Sequence, residues 1–238
     1  MLAPSAQEIT AYRYAVYAVP DTEHPLWRMS AHWLGRDAAR NLDLTQMALP
    51  GWPIERFCAL TSEARRYGFH GTLKAPFRLA EGVPECALVD AVQRFSEEQS
   101  IPPISLSVDD GLGFLALRPV GDSLPLTRLA DDCVREFDRF RAPLTASDIQ
   151  RRLATGLSDR QRALLLEWGY PYVLEEFRFH MTLADRCRDP DDQKALRSAA
   201  AACFQEVLEK PVPLRVALFV EPRPGSAFQM IGSGAPVR

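Results

Sequence analysis

The string Phe-His-x-Thr-Leu stands twice in this chain, as Phe69-His70-Gly71-Thr72-Leu73 and as Phe179-His180-Met181-Thr182-Leu183. A repeat of this kind limits the fold severely, because two copies of one motif need two like environments. The downstream sequence keeps the same metre. From His70 to Ile104 is 34 positions, and from His180 to Leu214 is again 34. After the first copy, residues 85–99 carry Leu88, Val92 and Phe95 at helical spacing. Residues 104–108 then alternate like a strand, Asp109-Asp110-Gly111 turns, and residues 114–117 return. After the second copy, a helix is expected over 191–208 and a strand over 214–220. Pro224-Gly225 makes the turn, and the return strand covers 228–231.

The regions before each motif are less alike. Residues 13–19 are apolar, aromatic and β-prone and predict a first strand, with a helix near 26–34. In the second half, residues 126–140 read as a helix. Thr145-x-x-Asp148 and Ser158-x-x-Gln161 then fit capping boxes of two short helices, with Gly156 placed to end the first. This segment, about 142–171, has no counterpart in the first half and reads as a helical insert, either a flap or a packing pair. No Pro/Gly/Ser-rich linker divides the chain. The expectation is one α+β domain spanning 1–238. It would be bilobal and duplicated, its antiparallel sheets flanked by helices about a pseudo-twofold and a central cleft.

Alternation along a strand puts residues i and i+2 on one face, about 7 Å apart. His70 and Thr72 therefore face away from Phe69, Gly71 and Leu73, and His180 and Thr182 away from Phe179, Met181 and Leu183. The apolar sets suit a core, leaving an imidazole and a hydroxyl of each motif on the open side. Lys74 and Arg178 share the parity of the histidines and are expected to add positive charge there. Two imidazoles suit acid/base work at phosphorus, because an ordinary pKa near 6.5 lets both protonation states coexist near neutrality. The threonine hydroxyls can donate to phosphate oxygens. His24 and His32 lie outside the motif and are read as non-catalytic. No Asp, Glu or Cys stands at ligand spacing in either motif, so no metal or other cofactor is expected.

Composition narrows the partners. A net charge of −3 and a pI near 5.9 provide no basic field for long nucleic acid, whereas a small anion needs only a local positive pocket. The arginines from Arg151-Arg152 to Arg160 and Arg162 read as a solvated helix face. Five widely spaced cysteines, an odd number without a C-x-x-C pair, point to a reducing compartment. No apolar run approaches the ~20 residues of a membrane span, and residues 1–10 lack the order of a signal peptide. A cytoplasmic protein with no membrane partner is expected.

The paired motifs resemble those of the two-histidine (2H) phosphoesterase superfamily. The extended strings Arg66-Tyr67-Gly68-Phe69-His70-Gly71-Thr72-Leu73-Lys74-Ala75-Pro76-Phe77 and Glu176-Phe177-Arg178-Phe179-His180-Met181-Thr182-Leu183 are similar to a bacterial branch associated with phosphonate-utilisation operons. The resemblance implies motif strands side by side in a bilobal fold, with His70 and His180 as general acid and base and Thr72 and Thr182 on the phosphate. It implies a metal-independent hydrolase, a cyclic phosphodiesterase acting on a cyclic phosphate or small phosphodiester of nucleotide or ribose-phosphate type. Which histidine is acid and which is base depends on the direction of reaction. Two alternatives stand beside it: a non-catalytic nucleotide or sugar-phosphate sensor, and an RNA end-processing or 2′,5′-ligase-like enzyme. A short RNA end is disfavoured as partner by the acidic pI.

Overall fold

The computed structural model describes residues 13–99 and 102–233, so residues 1–10, read above for a leader, lie outside the described residues. In chain order the elements are β1 (Arg13–Pro20), α1 (Pro25–Leu34), β2 (Arg36–Asp37), β3 (Leu42–Asp43), α2 (Ile54–Leu60), α3 (Ser62–Tyr67) and β4 (Gly71–Phe77). Then come α4 (Glu85–Glu98), β5 (Leu106–Asp109), β6 (Ala116–Pro119), α5 (Leu124–Glu136), α6 (Ala146–Leu153) and α7 (Asp159–Trp168). The chain continues through β7 (Met181–Thr182), α8 (Pro190–Phe204), β8 (Leu214–Glu221) and β9 (Gln229–Ser233).

Seven strands form one sheet in the order β5-β6-β7-β4-β1-β8-β9, and each of its pairings is antiparallel. The fold is therefore α+β, an antiparallel sheet with flanking helices. β1 occupies a central place because its sequence, RYAVYAVP, carries no charge after Arg13 and can be buried on both faces. Its alternation divides the molecule. Tyr14, Val16 and Ala18 face the main core, built from Trp33 of α1, Phe57 of α2, Leu88 and Val92 of α4, Leu129 of α5 and Phe204 of α8. Ala15, Tyr17 and Val19 face a smaller cluster with Trp27, Phe219 and Phe228. Each large side chain removed from water in these clusters contributes about 1.5–3 kcal/mol before entropy is counted.

The hairpins cross over the middle of the sheet. Hairpin β5–β6, from the first half of the sequence, lies beside β7 of the second half. Hairpin β8–β9, from the second half, lies beside β1, the neighbour of β4. Ile104 and Val212, which lead into β5 and β8, exchange both backbone hydrogen bonds at 3.0 and 2.7 Å. The sheet must therefore curl enough for distant strands to meet.

Both capping boxes of the insert form as expected. Thr145 and Ser158 accept from the backbone N–H groups of Asp148 and Gln161, whose side chains bond back. α7 buries Leu164 and Leu165, while α6 buries nothing. Helices α2 and α3, seven and six residues long, have too few turns for apolar periodicity and were not expected. The segment expected as one helix over 126–140 breaks after Glu136 into a short 3-10 turn, Asp138–Phe140. No helix among the described residues is long and apolar enough to cross a membrane.

Candidate functional site

The two motif strands are immediate neighbours. Gly71 of β4 opposes Met181 of β7 in antiparallel register. One step to either side places His70 across from Thr182, and His180 across from Thr72, at the ~4.5–5.5 Å Cα spacing of opposed residues. Each histidine is thus the cross-strand neighbour of the other motif's threonine. The apolar parity also holds, since Phe69, Leu73, Phe179, Met181 and Leu183 all lie in the main core. Gly71 is required there: a Cβ on it would stand 2.5 Å from the Phe179 ring.

The open face carries a cleft in two parts. A cavity of about 440 Å³ is lined by Thr72 and His180, together with Arg178, Tyr170 and Gln161. A second, of about 340 Å³, is lined by His70 and Thr182, with Tyr67. Phe114 and Arg186 line both parts and join them. Residues 142–171 thus border the cleft, through Gln161 of α7 and Tyr170 just after it.

Both histidines are held in the same way. His70 Nδ1 lies 2.9 Å from the Gly68 carbonyl, and His180 Nδ1 lies 2.7 Å from the Arg178 carbonyl, two residues back in each case. A carbonyl can only accept, so Nδ1 carries the proton in each neutral ring and Nε2 keeps its lone pair. His70 Nε2 is 3.2 Å from the Thr72 hydroxyl, which can donate to it. The His70 ring stacks on Tyr17 at 3.7 Å between centroids, and Phe114 meets His180 edge-on at 5.2 Å.

Burial pulls the His70 imidazole down to about 4, opposed by its bond to Gly68 and helped by the nearby His180 charge. His180 is lowered as well, first by burial and further by Arg118, against its bond to Arg178. Both rings are therefore neutral at neutral pH, where the sequence suggested one neutral and one charged. Among the described residues no three His, Cys, Asp or Glu side chains gather as a ligand set for a metal.

The cations differ from those expected. Lys74 is only 3% exposed and donates to the Val134 carbonyl at 3.0 Å and to Asp138 at 3.2 Å. Simple alternation put Lys74 beside the histidines. Instead, the β1–β4 register shifts between Tyr17↔Thr72 and Val16↔Lys74, so Lys74 shares the side of Val16, away from Thr72. Arg178 is at the cleft, its guanidinium held by the Glu175 and Phe177 carbonyls. Two arginines escaped the sequence reading. Leu117 opposes Met181, which places Arg118 across from His180 on β6, and Arg186 follows the second motif. The signal for Arg118 was present, because Phe114, Ala116 and Arg118 share one parity along the return strand.

Residues 72–229 match the model of a family described as "Protein of unknown function (DUF1045)". The chain is 41% identical over 222 residues to a ribose 1,5-bisphosphate phosphokinase PhnN of Janthinobacterium sp. (strain Marseille), which covers 91% of this chain and 49% of that protein. It is 38% identical over 219 residues to the protein of the same name in Laribacter hongkongensis (strain HLHK9), covering 92% and 50%. The chain spans about half the length of these curated relatives. Their names overturn the expectation of a hydrolase. A phosphokinase moves a phosphoryl group to an acceptor other than water, so cyclic-phosphate or phosphodiester hydrolysis is not the reaction they point to. They lend no support to the sensor or RNA end-processing alternatives either.

Proposed function

The chain belongs to the DUF1045 family, and on that premise we propose that its cleft binds a small ribose-phosphate ester and exchanges protons with it during phosphoryl transfer. The relatives' shared name supplies the ligand and reaction classes. The observation that carries the reading is the crossed arrangement of His70 with Thr182 and His180 with Thr72 across β4–β7. The two histidines and two threonines then line the two joined parts of one cleft, with Arg178 and Arg186 on its walls to balance a phosphate. In transfer from a nucleoside triphosphate, a neutral Nε2 can take the proton of the acceptor hydroxyl as its oxygen bonds to the terminal phosphorus and the diphosphate leaves. The threonine hydroxyls donate to the oxygens that gain charge.

The 238 residues hold no G-x-x-x-x-G-K-[S/T] string, so we assign this chain the acceptor side of the transfer and not a phosphate-cradling donor loop of that type. We read the architecture as one bilobal, duplicated domain with residues 142–171 inserted, of 2H ancestry. The equal 34-residue spacing, the matching Nδ1 bonds and the Ile104–Val212 bridge support this. Five cysteines without a disulfide support a cytoplasmic setting, and the resemblance supports a role in phosphonate metabolism.

Calorimetric titration with ribose 5-phosphate and ribose 1,5-bisphosphate tests the site. Saturable binding is expected, weakened roughly tenfold or more by His70→Ala or His180→Ala, as for loss of a hydrogen bond to a charged group. Absence of binding to the wild-type chain, or equal binding by the double variant, would refute the assignment.

A further inference from the structure

The His180 part of the cleft carries a carboxylate that a phosphate alone does not call for. Glu176 lines that cavity together with Thr72, His180, Arg178 and Arg186. Its Oε2 accepts from the Gln161 side-chain amide at 2.9 Å, and Gln161 lines the same space, so the two side chains meet at its wall. No cation pairs with Glu176 among the described residues, and Arg160, whose charge it feels, is held by Glu175. The carboxylates of the His70 part are occupied. Asp185 accepts from the backbone N–H groups of Glu63 and Ala64, and Glu63 pairs with Arg66.

The carboxylate is also held in place. Gln161 Oε1 accepts from the Ser158 N–H in the capping box of α7, which turns Nε2 toward Glu176. Glu176 is half-buried and closes a 3-10 turn, Leu174–Glu176, four residues before His180. Four extended residues span at most ~14 Å, so the two side chains can meet opposite ends of one pentose phosphate. A carboxylate has about four lone-pair sites, and Gln161 takes one. A phosphate dianion offers only acceptors and is repelled by it, whereas a sugar hydroxyl donates to it in a short, charge-assisted bond. The remaining wall is largely aliphatic and aromatic, with Phe114, Tyr170 and Tyr172. In such sites a few placed polar groups fix a ligand's orientation.

We propose that Glu176, steadied by Gln161, receives the hydroxyl groups of a sugar whose phosphate lies at the histidines, and so selects a ribose phosphate over a phosphate ester without hydroxyls. The phosphate end of this assignment rests on the function proposed above; the hydroxyl contact is tested apart from it. Carboxylates hold ribose hydroxyls in the same manner at the dinucleotide sites of doubly wound folds.

Calorimetry of the full chain with ribose 5-phosphate and with ethyl phosphate, a phosphomonoester that has no hydroxyl, separates the two ends. Glu176→Gln keeps the shape and an acceptor for Gln161 but removes the charge. It should weaken ribose 5-phosphate about five- to tenfold and leave ethyl phosphate unchanged or bound more tightly. Glu176→Asp, which withdraws the carboxylate by one methylene, serves as a second variant should Glu176→Gln prove unstable, and the same split is expected. His180→Ala should weaken both ligands. Equal weakening of the two ligands by the Glu176 variant would make Glu176 a part of the wall and overturn the hydroxyl contact. Ribose 5-phosphate binding indifferent to Glu176 overturns it too, and leaves the phosphate reading standing if His180→Ala still weakens both. A Glu176 effect confined to ribose 5-phosphate, with both ligands indifferent to His180→Ala, upholds the hydroxyl contact and overturns the phosphate end. Failure of the wild-type chain to bind either ligand overturns both.

Discussion

At the scale of single residues, the site depends on two imidazoles kept neutral by burial and pointed by a backbone carbonyl. His70 is drawn down to about 4, and His180 is lowered. Proton NMR of the four histidines should show His70 failing to titrate until well below pH 6. A bound phosphate dianion favours the charged imidazole, so ribose 5-phosphate should raise both values. Binding near pH 6 should then take up protons, seen as a buffer-dependent enthalpy. An unchanged His70 resonance at saturating ligand would place the phosphate elsewhere. Gly71 makes a different demand, since Phe179 occupies the place a Cβ would take. Gly71→Ala should therefore lower stability by about 1–3 kcal/mol, measured by urea unfolding, through displacement of a core ring.

At the scale of elements, α3 delivers the first motif and is tied to the second. Asp185, just past β7, accepts from the backbone N–H groups of Glu63 at 2.9 Å and Ala64 at 3.1 Å, at the start of α3. α3 ends at Tyr67, and His70 follows within three residues. Asp185→Ala should cost ~1 kcal/mol, as a lost helix cap does, and should weaken ribose-phosphate binding by loosening His70 against Thr182. Thermal melts and calorimetry on the same variant check both. The insert provides a further test. Because Gln161 and Tyr170 line the cleft, Tyr170→Ala should change the preference among sugar phosphates more than it changes stability. A variant that merely melted earlier, with unchanged preference, would make the insert a scaffold. Strongly periodic or capped elements such as α4, α6 and α7 were legible in the sequence, and so was the motif strand β7, whereas the brief α2 and α3 were not.

At the scale of the whole molecule, the two buried imidazoles make stability depend on pH. In the unfolded chain they bind protons near 6.5, but in the folded chain His70 does so only near 4. The unfolded state therefore holds more protons in this window, and stability rises from about pH 4 to 6.5 and is full above it. Asp131 and Asp185, both raised first by burial, work in the opposite sense near the lower end. Urea midpoints should fall between pH 7 and pH 5, and His70→Asn with His180→Asn should flatten that slope. Sequence alone determined the repeated motif, its parity, the split between a core face and an open face, and the capped helices α6 and α7. Each follows from local periodicity or short-range hydrogen bonding. Only the tertiary structure decided that the hairpins cross the middle of the sheet and that each histidine stands across from the other motif's threonine. It also decided that a register shift turns Lys74 toward Asp138 while Arg186 lines both parts of the cleft. The register between strands far apart in sequence sets these outcomes, and one residue of slip moves a side chain to the other face.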